Sequence, residues 1–271
     1  MTLLFQLTFM VYLLATAAYV VFFVSQNPQA RAMARWVLIG GGALHTGYFV
    51  TRWLAAGHPP LTTSHEAISF FAWSVCCAFL SFRWRYRVKN FGLFVSLLVS
   101  LLMLVAALSS RQVVPLAPAL QSNWMPLHAG IAILANGFFA LAFCGGIMYL
   151  LQEREIKSKK FGLFYERFPS LEALDNLNRH CLAMGFPLLT LGIITGSIWA
   201  KQAWGAYWQW DPKETWSLIT WLLYAAILHQ RLTVGWRRRR AAIMAIVGFS
   251  AVLFTLWGVT FLLGGVHSYA G

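Results

Sequence analysis

The chain has 271 residues, of which 59% are hydrophobic and 11% charged, with a mean hydropathy of +0.63, values that exclude a soluble globular domain and fit a polytopic membrane protein. A formal charge of +13 and a pI near 10.1 would point to nucleic acid in a soluble protein. Here the cationic residues fall mostly between apolar runs, so the charge reads as membrane topology, and no nucleic-acid partner is expected.

Apolar runs long enough to cross a ~30 Å hydrocarbon core, about 20 residues each, begin near Thr2, Trp36, Ala67, Phe91, Leu127, Cys181, Trp216 and Ala241. They predict an all-α fold of eight transmembrane helices in a single integral membrane domain over 1–271. The first run reads as a retained helix, because positions 1–6 carry no positive charge and no small-residue cleavage site closes a run of ordinary signal length. The connections 25–35, 83–90, 152–179 and 231–240 hold every Lys and Arg except Arg52, Arg111, Lys201 and Lys213. The positive-inside tendency therefore places these connections in the cytoplasm and both termini on the outer side, with anionic lipid a natural neighbour of Arg237–Arg240.

In the second run, His45 sits at mid-helix, where a hydrogen-bonded interhelical role is favoured over a role in an inner site. Outside, 57–64 and 109–125 are loops marked by Pro59, Pro60, Pro115 and Pro118. His58 and His65 belong to this outer region, where loop histidines are usually solvated, and Glu66 stands at the start of the third helix. Cys76, Cys77, Cys144 and Cys181 lie in or at the edge of apolar runs without C-x-x-C spacing, which argues against a transmembrane thiol–disulfide carrier. The absence of G-x-x-x-x-G-K-[ST] means that this chain does not itself hydrolyse ATP.

The cytoplasmic loop 152–180 mixes charges with Phe161, Phe164, Tyr165 and Phe168. It reads equally as a surface-lying amphipathic helix or as a solvated linker, and His180 at its end is ambiguous. Between the sixth and seventh runs lies the external segment 200–216, which contains W-G-A-Y-W-Q-W-D-P-K-E-T-W from Trp204 to Trp216. Its rings, Trp204, Tyr207, Trp208, Trp210 and Trp216, offer flat faces to a planar ligand. Lys213 and the indole N–H groups offer donors to an anionic edge, so a porphyrin is the expected occupant. The same segment starts a helix: Asp211 fits the N-cap, Pro212 the first helical position, and Glu214 the capping-box partner.

His128 at the start of the fifth run and His267 at the end of the eighth lie at the depth of this segment, and two neutral imidazoles complete six-coordinate haem iron. His229 lies fifteen residues after Glu214, roughly 22 Å deeper at ~1.5 Å per residue, and cannot share that porphyrin. It is either a second intramembrane site or an interfacial histidine snorkelling beside Gln230 and Arg231.

The run W-G-A-Y-W-Q-W-D-P-K-E-T-W-S resembles the signature of the haem-handling WWD superfamily and is similar to that of its CcsA (ResC) family, the membrane component of system II cytochrome c synthetase. Pro60-Leu61-Thr62, Glu66, Trp124-Met125-Pro126-Leu127-His128, His229 and the stretch Leu262-Leu263-Gly264-Gly265-Val266-His267-Ser268-Tyr269 extend the resemblance from about Gly57 to the end. His65 stands where relatives often carry an aromatic or other residue. The resemblance implies a multi-pass protein of the plasma membrane or the thylakoid, working in a haem lyase complex. It implies that haem b is the transported substrate, that His128 and His267 bind its iron at the outer site, and that 204–216 forms the wall of that site, with Asp211, Lys213 and Glu214 included. It also implies that His229 helps hold an inner haem. The implied partners are a CcsB (ResB)-like subunit, which supplies the second inner ligand, apocytochrome c with its C-x-x-C-H thiols, and a thiol-reducing protein. Other readings are a CcmC-like protein delivering haem to a chaperone, a HemX-like membrane protein of tetrapyrrole regulation, and a respiratory subunit without haem.

Overall fold

The computed structural model describes residues 2–85, 88–110, 120–159, 162–235 and 237–263. Among them the regular structure is entirely helical: α1 (Thr2–Ser25), α2 (Pro28–Ala56), α3 (Ser64–Arg85), α4 (Phe91–Leu108), α5 (Trp124–Ser158), the short α6 (Leu163–Arg167), α7 (Leu171–Trp204), α8 (Pro212–Leu232), α9 (Arg239–Leu253), a π-helical turn (Phe254–Gly258) and α10 (Val259–Leu262). Local chemistry sets the ends. The Asn27 side chain accepts from Gln29 N ahead of Pro28 to start α2, and Gly57 closes that helix in the left-handed region at φ +74°. Ser170 caps α7 in the same way by accepting from Ala173 N.

Six helices among the described residues are long and apolar enough to cross a membrane: α1, α3, α4, α5, α7, and α9 with its π-turn. The chain is thus an all-α, polytopic membrane protein. The two other long helices, α2 and α8, fall outside this set; α2 carries Arg31, Arg35 and Arg52, and α8 carries Lys213, Glu214, His229 and Arg231. At 35 residues α5 is about 52 Å long and overshoots the hydrocarbon core. Helix therefore takes up much of 152–180, leaving only the five-residue α6 between α5 and α7. Phe168 after α6 is buried edge-on against Phe23 and Phe94, so this connection is fastened to the bundle.

Helices α1 to α4 pack as one group, α5 and α7 to α9 as another, and contacts of α3 and α4 with α5 join the two. The α5–α7 seam is the most extensive, because glycines let the backbones approach. A Cβ on Gly192 would lie 3.2 Å from Ala132 Cα, and one on Gly185 would lie 2.6 Å from the Phe139 ring. All four cysteines are free thiols.

Two buried histidines in the first bundle are each hydrogen-bonded at both ring nitrogens. His45 is fully buried between Tyr12 Oη, 3.2 Å from Nδ1, and Ser69 Oγ, 2.9 Å from Nε2, which is the interhelical role its position favoured. His65 corrects the solvated-loop expectation. It lies in the first turn of α3, fully buried, with Nε2 2.9 Å from Tyr48 Oη and Nδ1 2.7 Å from the Ala106 carbonyl oxygen. At the opposite end of the molecule, Arg231 donates to the backbone and side-chain oxygens of Asp175, both at 2.8 Å, and ties α8 to the start of α7.

Candidate functional site

One end of the bundle is shaped by the way α7 stops and α8 starts. Gly205 closes α7 at φ +84°, its N–H donating to the Lys201 carbonyl, and the chain turns back toward the bundle. Six residues later the sequence D-P-K-E forms the capping box expected from its spacing. Asp211 accepts from Lys213 N at 3.0 Å, while Glu214 Oε2 accepts from Asp211 N at 3.3 Å and from Gln209 N at 2.8 Å. Glu214 therefore anchors the loop ahead of its own helix as well as the helix start. Trp210, squeezed between these bonds, takes φ +58°, a conformation a bulky residue rarely adopts.

This loop roofs a cavity of about 320 Å³, within the ~300–1,000 Å³ typical of small-molecule and cofactor sites. Its walls come from the 61–64 loop and Phe71 of α3, from His128, Ala132 and Asn136 of α5, and from Gly192, Gly196 and Trp199 of α7. Tyr207 and Trp208 of the loop, Lys213, Glu214 and Thr220 of α8, and Thr255 and Trp257 of the π-turn complete them. Such π-turns recur at functional sites because they rotate the following helical turn. Here Thr255 Oγ1 is 2.9 Å from Thr220 Oγ1, fixing the turn to α8.

Several residues singled out in the sequence meet here: His128, Tyr207, Trp208, Lys213 and Glu214 all line the cavity. Four others do not. Trp204 packs edge-on to Trp199 with centroids 4.8 Å apart, Trp216 packs on Phe254 at 4.4 Å, and Trp210 is 69% exposed. Asp211 is buried as a cap. His267 lies outside the described residues. His229 is exposed on α8 toward the far end. His58 Nδ1 sits 3.3 Å from the Pro59 carbonyl oxygen, and His180 packs beside Phe82.

Three polar groups give the cavity its chemistry. His128 Nδ1 lies 2.7 Å from the Gly192 carbonyl oxygen. A carbonyl only accepts, so Nδ1 carries the proton and Nε2 is the basic ring nitrogen, the tautomer suited to binding a metal. On the roof, Trp208 Nε1 is buried with no hydrogen-bond partner among the described residues, a donor that a ligand acceptor would satisfy. Burial pushes the Lys213 ammonium below the usual lysine range, against the pull of the Asp211 carboxylate. The site thus combines an imidazole, an unmet N–H, a cation and apolar aromatic walls.

The sequence did not reveal three parts of the site. Trp199 sits in an apolar run and is 4% exposed, with its ring nearly parallel to His128 at 5.9 Å. Trp257 is likewise embedded in an apolar run. The third is the fastening of the 61–64 loop: Glu66 Oε2 accepts from Thr62 N, Thr62 Oγ1 and Thr63 N, while Glu66 Oε1 pairs with Arg52 Nε of α2 at 2.5 Å. Arg52 and Glu66 are 14 residues apart on different helices, and no local pattern links them.

Residues 61–267 match the model of the cytochrome c assembly protein family. The chain is 37% identical over 238 residues to a cytochrome c biogenesis protein CcsA of Guillardia theta, covering 81% of this chain and 79% of the relative. It is 33% identical over 288 residues to a CcsA of Synechococcus sp. (strain JA-3-3Ab), covering 86% and 83%. Among solved structures, a cytochrome c haem lyase CcmF superposes with a TM-score of 0.66 at 16% identity, over 94% of this chain and 45% of that one. That likeness is one of fold, and this chain spans less than half of the larger protein. By family model and by relatives together, the chain belongs to the cytochrome c assembly protein family, within its CcsA group.

Proposed function

We propose that the chain carries haem b as its substrate to the outer face of the membrane and presents it there to the C-x-x-C-H thiols of apocytochrome c, in complex with a CcsB (ResB)-like subunit. In this reading α2 and α8, the latter from about Trp216 inward, also cross the bilayer. This gives eight spans with both termini and the cavity outside, in a plasma or thylakoid membrane. The observation that carries the reading is His128, a cavity-lining imidazole whose Nδ1 faces a backbone carbonyl so that Nε2 is left as the ligating nitrogen.

The bound haem supplies the iron and the vinyl groups. His128 would hold the iron, and His267, which lies outside the described residues, is the second imidazole that the sequence resemblance implies; two imidazole ligands would leave no iron position for solvent. Trp199, Tyr207 and Trp257 provide flat apolar walls, and the Trp208 N–H and the Lys213 ammonium receive the propionates. Asp211 and Glu214 act by holding the roof. Each thiol then adds across a vinyl double bond: sulfur bonds to the carbon nearer the ring, and the thiol hydrogen ends on the outer carbon. The step is redox-neutral and depends on orientation and proximity.

Support for an inner site comes from α8. His229 is exposed on the same side as Leu222, 53% exposed, and Ile219, 41% exposed, an apolar stripe suited to a partner helix that brings a second ligand. His229→Ala is expected to lower haem content at the outer cavity as well as the yield of a reporter cytochrome c. Extraction of haem from the purified chain and haem staining of the reporter measure the two effects, and full haem loading in the variant would sink the relay.

A further inference from the structure

The ring of His128 rests against one face of α7. Gly192, Gly196 and Trp199 recur at helical spacing on that face, and all three line the cavity beside the histidine. The Gly192 carbonyl oxygen is 2.7 Å from His128 Nδ1 and also accepts from Thr195 Oγ1 at 3.0 Å. Trp199 lies nearly parallel to the imidazole, at 18° between planes. Gly196 is the space the ring occupies: a Cβ there would fall 2.6 Å from His128 Nδ1 and 2.7 Å from Cε1, closer than atoms can approach. Its backbone is helical, so the absence of a side chain serves the approach of the ring and not an unusual φ.

We propose that Gly192, Gly196 and Trp199 form a cradle that fixes the tautomer and plane of His128, making them positioning residues for iron ligation at the outer cavity. This rests on the reading that His128 binds haem iron. Its physical basis is general: a ligating histidine whose second nitrogen donates to a fixed carbonyl has one protonation site and one orientation. Loss of such an outer-shell partner typically costs about 10–100-fold in affinity. The device also separates function from stability. Alanine is a better helix former than glycine, so Gly196→Ala favours α7 as a helix while removing the place where the histidine ring rests.

The test compares haem content and visible spectrum for the full-length chain purified in detergent with its native haem, and after titration with haemin. Gly196→Ala is expected to lose about 10–100-fold in haemin affinity and the bis-imidazole spectrum, and to recover low-spin haem when free imidazole is added. Gly47→Ala in α2, where a Cβ meets nothing within 4 Å, is expected to behave as the parent. Trp199→Leu should weaken binding and Trp199→Phe, which keeps a flat ring, should restore it. His128→Gly separates the two levels. If His128→Gly loses haem while Gly196→Ala and Trp199→Leu keep parental affinity and spectrum, the cradle is overturned and the ligand reading stands. If His128→Gly itself keeps haem at full occupancy, both fall together.

Discussion

His128→Gly is expected to strip most haem from the cavity and to abolish maturation of a reporter cytochrome c, with haem occupancy partly restored by free imidazole. The expected loss exceeds the roughly 10–100-fold that removal of an outer-shell partner costs, because on the proposed reading the variant loses the iron ligand itself. Imidazole can substitute because glycine leaves a slot bounded by Gly196 and the ring of Trp199, the surfaces against which the native imidazole packs. The cavity's other contacts remain in place, including the Trp208 N–H and Lys213, so residual weak binding of porphyrin is expected even without added ligand. Normal maturation by His128→Gly would remove the histidine from the mechanism.

The second large effect concerns stability. Arg52 and Glu66 are 4% and 1% exposed, so removing one leaves the other's charge buried, which typically costs about 3–5 kcal/mol. Glu66→Ala is therefore expected to lower the thermal unfolding midpoint in detergent sharply. The double substitution Arg52→Met with Glu66→Leu removes both charges, and stability should largely return. Haem occupancy should not return with it. Glu66 also accepts from Thr62 N and Thr63 N, and without those bonds the 61–64 wall of the cavity is unfastened. An unfolding midpoint for Glu66→Ala equal to the parent's would contradict the role of the pair.

How much of this was legible in the sequence follows from how local each interaction is. The capping box of Asp211 and Glu214 was legible because four consecutive residues carry it, and the structure forms it as the spacing required. The all-helical, multi-pass architecture followed from the lengths of the apolar runs, and the family followed from the tryptophan-rich motif. His128 could be placed at the depth of that motif because both lie at helix ends.

What the sequence hid is tertiary. The tryptophans of the motif looked equivalent, yet Trp208 lines the cavity while Trp210, two residues on at φ +58°, is 69% exposed and meets the Trp208 ring edge-on at 5.8 Å. Trp199 resembled any aromatic in an apolar run, because its meaning comes from the α5 histidine that crosses it. His65 resembled a solvated loop residue because the elements that bury it, Phe5 of α1, Tyr48 of α2 and the Ala106 carbonyl of α4, are distant in the chain.

The central claim is that haem occupies the outer cavity between two imidazoles, and the visible spectrum of the full chain, purified from haem-replete cells, tests it most directly. The expected result is a Soret band with low-spin, bis-imidazole features that disappears in His128→Gly and returns with added imidazole. A colourless protein, or a haem spectrum indifferent to His128, would contradict it.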